Sequence, residues 1–79
     1  MEIQITKAAI KDIKKLDAQT RSRITNAIYK LPLGDVKHLQ GYANYYRLRV
    51  GDFRVIYILE NGTITIAAVL PRGEAYKRL

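Results

Sequence analysis

Three arginines fall in one phase of two alternating runs, Tyr45-Tyr46-Arg47-Leu48-Arg49-Val50 and Phe53-Arg54-Val55-Ile56-Tyr57, which meet at Gly51-Asp52. Successive side chains of a strand point to opposite faces, so Arg47 and Arg49 share a face that Tyr46, Leu48 and Val50 do not. With Gly51-Asp52 as a two-residue hairpin loop, Val50 pairs with Phe53 and Arg49 with Arg54. Three guanidinium groups then gather on one patch of sheet. Like charges directly across a ladder are destabilising, and a bound polyanion is the compensation that this pattern suggests. The planar fork of arginine holds phosphate bidentately and stays charged, so the chemistry expected of the patch is phosphate recognition. The competing reading is a solvated sheet face.

Two further groups extend the patch. The segment Pro71-Arg72-Gly73-Glu74-Ala75-Tyr76 adds a fourth arginine and an aromatic ring just past the last strand. Tyr76 either pins the terminus to the domain or stacks on an unpaired base, a contact worth about 1–3 kcal/mol. Tyr42 and Tyr45 read as rim packing that can also meet a base, and Tyr29, Tyr46 and Tyr57 as half-buried core residues. His38 is the only imidazole and is out of phase with the arginines, and there is no cysteine. Neither a metal-ligand set nor a Ser-His-Asp or Cys-His triad can be assembled, and no phosphate-cradling glycine loop is present, so no metal or cofactor is expected.

The elements that must position these groups are legible from periodicity. Residues 2–6 alternate as a strand, and residues 7–16 carry Ile10, Ile13 and Leu16 at helical spacing. Asp17 is the predicted N-cap of a second helix over 18–31, with Ile24, Ala27, Ile28 and Leu31 as its buried stripe. Residues 32–44 hold turn formers without sustained period and read as a connecting loop with a short turn near Val36 to Leu39. Strands are predicted over 45–50, 53–59 and 63–70, the last two joined by Asn61-Gly62, a strong signal for a turn with positive φ at both central residues. Continuing that register pairs Leu59 with Ile64, Tyr57 with Ile66, Val55 with Ala68 and Phe53 with Leu70. One sheet face is then apolar and takes both helices. The other carries the arginines with Ile56, Ile58, Thr65, Ala67 and Val69, and is expected to be a shallow open groove.

Composition bounds the rest. At 79 residues the chain reads as one small α+β domain, residues 1–79, in the order strand-helix-helix-strand-strand-strand, with a mainly antiparallel sheet and a helical hairpin on one face. Its 14 Lys and Arg against 7 Asp and Glu give a net charge of +7, which favours acidic partners. No apolar run reaches the roughly 20 residues of a membrane span, and no signal-peptide pattern follows Met1, so a cytoplasmic protein without a membrane partner is expected.

The stretch Leu39-Gln-Gly-Tyr-Ala-Asn-Tyr-Tyr-Arg-Leu-Arg-Val-Gly-Asp-Phe-Arg-Val-Ile-Tyr57, with Arg72-Gly-Glu-Ala-Tyr76 after the hairpin, resembles the RelE/ParE superfamily of toxins from type II toxin-antitoxin modules. The resemblance covers essentially the whole chain. It implies a RelE-like mRNA interferase, which cleaves mRNA in the ribosomal A site and is held in a hetero-oligomer by a cognate acidic, RelB-like antitoxin. On the motif, Arg49, Arg54, Arg72 and Tyr76 take the catalytic positions, and Arg47 and Tyr45 bind RNA. Arg47 and Arg49 stand where the best-known RelE enzymes have lysine, and a guanidinium is a poor proton acceptor near neutral pH, so the motif leaves the identity of the general base open. The alternatives within the same fold are a ParE-like gyrase inhibitor and a non-catalytic basic binding module.

Overall fold

In the computed structural model, residues 2–72 are described. They form β1 (Glu2–Ile5), α1 (Lys7–Lys14), α2 (Ala18–Tyr29), β2 (Asp35–His38), β3 (Tyr45–Val50), β4 (Phe53–Glu60) and β5 (Thr63–Pro71). One five-stranded sheet results, in the order β1-β5-β4-β3-β2. Its pairings are antiparallel except for β1, which runs parallel to β5 with Ile3 beside Ile64 and Ile5 beside Ile66. The α+β class and the helical hairpin on one face match the sequence reading.

Thr6 shows how sequence fixes the first crossover. It leaves β1 extended, and its Oγ1 accepts the Ala9 amide at 3.2 Å as the N-cap of α1. The same hydroxyl donates to the Ile66 carbonyl at 2.9 Å. The cap thereby ties α1 to β5. Lys11 and Lys14 fall in the last turn of α1, where the helix dipole favours cations. Asp17 precedes α2 as expected, and the Thr20 hydroxyl beside it holds its carboxyl below the usual carboxylate range.

The face of α1 differs from expectation. Ile10 is 40% exposed, and Ala9 and Asp12 are the buried positions, with Ile13 and Leu16 packed partly against the core. The rotation has a polar cause: the buried Asp12 carboxylate accepts the Val69 amide at 3.0 Å. β1 ends at Ile5, so the outer edge of β5 beyond Ile66 has no strand partner on that side, and Thr6 and Asp12 of the α1 segment supply hydrogen bonds there. In α2 the predicted stripe is correct, with Ile24 and Ile28 buried beside Leu31, whereas Tyr29 is 64% exposed and not half-buried as expected.

Two corrections concern the sheet. Residues 35–38, read as part of a loop, form the edge strand β2, with Val36 opposite Leu48. Gly34 leads into it at φ +115°, where a Cβ would lie 2.9 Å from Leu48 Cδ1, so both conformation and space call for glycine. The second correction is a β-bulge. Pairing between β4 and β5 follows prediction from Glu60–Thr63 to Tyr57–Ile66, then shifts so that Ile56 meets Ala68, Val55 meets Val69 and Phe53 meets Pro71. The extra residue reverses the alternation. Val69 therefore joins the main core under the helices, with Leu48, Val55, Tyr57, Ile64 and Ile66.

Tyr46 and Tyr57 stack across β3 and β4 with centroids 5.5 Å apart at 15°, as the register predicts. Burial, with Tyr46 adding to it, pushes the Tyr57 phenol above its ordinary 10.0. A raised native value means that the contribution of the neutral phenol is complete below the unfolded pKa and is lost as pH rises through the native one. Thermal stability should fall above about pH 10, and Tyr57→Phe should remove part of that fall while changing little at neutral pH. Melting curves of both proteins from neutral to alkaline pH check this.

Candidate nucleic-acid interface

The ladder places the arginines as the sequence predicted. Arg49 lies opposite Arg54 and Arg47 opposite Ile56, and the rows continue to Leu70 and Ala68 on β5. Cβ atoms across such pairs stand about 4.5–5.5 Å apart, so the two guanidinium groups of the Arg49–Arg54 pair arise from nearly one point. Arg49 is exposed and Arg54 is half-buried. Nη1 of Arg54 is buried and has no hydrogen-bond partner among the described residues. A buried donor without an acceptor costs about 1–3 kcal/mol, and more when charged, so this nitrogen marks a place where an anionic oxygen would be stabilising.

Arg72 reaches the same end of the sheet by its backbone. Its amide donates to the Asp52 carbonyl at 2.8 Å, which sets it against the β3–β4 turn, next to the row formed by Arg54 and Leu70. Its own residue surface is exposed. Tyr45 stands in the row with Ile58 and Thr65, half-buried, with the Tyr42 ring 6.0 Å away. Tyr76 lies outside the described residues.

The arginine face is less open than the sequence implied. The bulge turns Ala68 and Leu70 onto it in place of Val69, and these two cluster with Ile56 and Leu39, all buried, with Ala67 packed against them. Leu39 comes from the turn after β2, where its amide bonds the Tyr45 carbonyl at 2.9 Å. The site is thus a set of cations around a small apolar centre rather than a bare groove.

The residue that sequence reasoning missed is Asp35. On β2 it stands in the row of Arg49 and Arg54, and its carboxylate and carbonyl accept from Arg47 Nη1 at 3.1 and 2.9 Å. Its position in an apparent loop gave no alternation to place it on a face. Arg49 also borders an open cleft of about 260 Å³, shared with Arg23, Lys30 and Leu33 at the end of α2. His38 packs its ring 5.1 Å from Tyr46 on the other face, away from the arginines.

A two-helix hairpin on a five-stranded sheet, with arginines in phase on the face opposite the helices, defines a small basic α+β domain with a cationic sheet face. The profile of the family described as ParE toxin of type II toxin-antitoxin system, parDE, matches residues 3–76. Toxin RelE3 of Methanocaldococcus jannaschii is 34% identical, over 96% of this chain and 96% of its own length. Among solved structures, the RelB-RelE antitoxin-toxin complex from Methanococcus jannaschii superposes with a TM-score of 0.79 at 32% identity, covering 96% of this chain and 98% of the other. The archaeal RelE-RelB complex from Pyrococcus horikoshii OT3 superposes with a TM-score of 0.74 at 30% identity, covering 94% and 97%. The chain belongs to the RelE/ParE superfamily of toxins from type II toxin-antitoxin systems.

Proposed function

We propose that this toxin is a ribosome-dependent endoribonuclease that cleaves mRNA, arresting translation and growth in the cytoplasm. The observation that carries the reading is the buried Nη1 of Arg54, unpartnered among the described residues, opposite Arg49 on a ladder that brings two like charges together. Attack of a ribose 2′-hydroxyl on the adjacent phosphate releases the hydroxyl proton to solvent, from which Arg72 is later reprotonated, builds negative charge on a phosphorane, breaks the bond to the 5′-oxygen of the next nucleotide and leaves a 2′,3′-cyclic phosphate and a 5′-hydroxyl. Preorganised cations aimed at the developing charge supply the largest stabilising effect for such a step. Arg54 and Arg72 take that role, with Arg72 also delivering a proton to the departing oxygen. Arg49 orients the phosphate, and Tyr45 and Tyr76 meet the bases. The ribosome contributes by holding the mRNA in an attack-ready shape. Purified protein added to a cell-free translation reaction should generate new mRNA 5′ ends, mapped by primer extension, that are absent from ribosome-free mRNA.

The family profile carries the ParE description, which favours gyrase as the alternative target. Gyrase-dependent DNA cleavage with intact mRNA in parallel reactions would replace the ribonuclease reading.

The solved relatives are complexes of RelE with RelB. The net charge of +7 supports an acidic antitoxin partner for this chain, with a segment that orders on the toxin surface. Their association rate should fall as salt rises, because charge steering is screened over about 10 Å at 0.1 M ionic strength. Stopped-flow mixing across a salt series measures this, and a salt-indifferent rate would contradict the electrostatic part.

A further inference from the structure

Arg47 differs from the other arginines of its face in being already occupied. Its Nη1 donates to two acceptors of one residue, the Asp35 carbonyl at 2.9 Å and the Asp35 carboxylate at 3.1 Å. Its side chain is only 15% exposed, while that of Asp35 is 59% exposed. The ladder puts Lys37, not Asp35, directly opposite Arg47, so the ion pair runs diagonally along β2. Such diagonal neighbours are within reach of long side chains. The guanidinium is thereby drawn toward the sheet edge, where the carboxylate cancels its charge. Arg49 and Arg72 have no such ion pair among the described residues.

We infer that Asp35 withdraws Arg47 from the phosphate-binding set, so that the anion site of this face is built from Arg49, Arg54 and Arg72. The inference rests on the nucleic-acid reading above and refines it: Asp35 is a positioning residue that sets how many cations meet the RNA backbone. Exposed ion pairs are individually weak, so releasing Arg47 should change RNA affinity by a few-fold rather than by orders of magnitude.

The test uses the full chain, a short fluorescein-labelled oligouridylate as probe, and four variants: Asp35→Asn, Asp35→Glu, Arg47→Gln and the double Asp35→Asn/Arg47→Gln. Kd is measured by anisotropy across a potassium chloride series, and melting curves confirm that each variant is folded. Asp35→Asn should bind about two- to fivefold tighter. Its slope of log K against log salt should steepen by about 0.7, the increment for one more phosphate contact on a single strand. Asp35→Glu, which keeps the charge, should behave as wild type. In the double variant both members of a neutral pair are gone, so affinity and slope should return to wild-type values. A double variant with weaker binding and a slope shallower by about 0.7 would show that Arg47 contacts phosphate in the wild type, and would overturn the inference. So would an Asp35→Asn protein that matches wild type, including the case in which neither binds the probe. Failure of the ribonuclease reading is separately visible, as intact mRNA in the translation assay whatever the binding series shows.

Discussion

Replacing Arg54 with alanine is expected to abolish growth arrest while leaving a folded protein. The residue sits opposite Arg49, two ladder rows from the Arg47–Ile56–Ala68 row and one residue along β4 from Phe53, the partner of Pro71. It is therefore central among the candidate cations. Removing one preorganised donor to a developing oxyanion typically costs about 10²–10³ in rate. The cost to the fold should be small, because the lost Nη1 is an unpaired buried donor among the described residues and the lost charge relieves repulsion with Arg49. Induction of wild type and Arg54→Ala at matched expression, with cell-free cleavage and melting temperature for both, measures the two effects together. A folded variant that still arrests growth would remove Arg54 from the centre of the site.

The second large effect is expected in α1. Asp12→Ala deletes the acceptor of the Val69 amide at the bulged strand, between two buried residues. Stranding that amide should cost about 1–3 kcal/mol, with the charged acceptor placing the loss toward the upper end. In a domain of this size each kcal/mol lowers the melting temperature by about 4–8 °C. A fall of roughly 5–20 °C follows from those two ranges. Asp12→Asn, which retains an acceptor oxygen, should recover part of it. Activity should decline only as far as the folded fraction does, because Asp12 lies on the helix side of the sheet. Equal melting temperatures for wild type and Asp12→Ala would show that the bond contributes nothing.

How far the sequence announced this molecule depended on whether a signal was local. The β3–β4 hairpin was legible in every pair from Tyr46–Tyr57 to Val50–Phe53, because two alternating runs around a two-residue turn leave one register that keeps the apolar side chains together. The Asn61-Gly62 turn set the adjoining pairs correctly, and both residues do adopt positive φ, at 50° and 76°. What followed was not local. Ala67 and Ala68 suit either face, so nothing in them marked the bulge, and the shift is decided by how β5 meets β4 and by the Asp12 carboxylate waiting at Val69. β2 is four residues long and contains one inward apolar side chain, Val36, too little for a period to show. The candidate site divided along the same line. Arg47, Arg49 and Arg54 were found by phase, whereas Asp35 and Leu39 became visible only when the edge strand and its turn were in place.

The position of β5 within the sheet has a consequence for how the toxin comes into being. The strand lies between β1 and β4, yet it is the last of the described strands in the chain. During synthesis β1 emerges first and waits: Ile3 and Ile5 have no neighbour until Ile64 and Ile66 leave the ribosome. Until then the apolar side of α1 and α2 has no complete sheet to cover, and pairing across so long an interval of sequence is slow because loop closure precedes any gain in contacts. Arg72 likewise gains its anchor on Asp52 only after β5 has formed. The sheet, and with it the full arginine face, is therefore complete only once β5 has emerged and closed between β1 and β4.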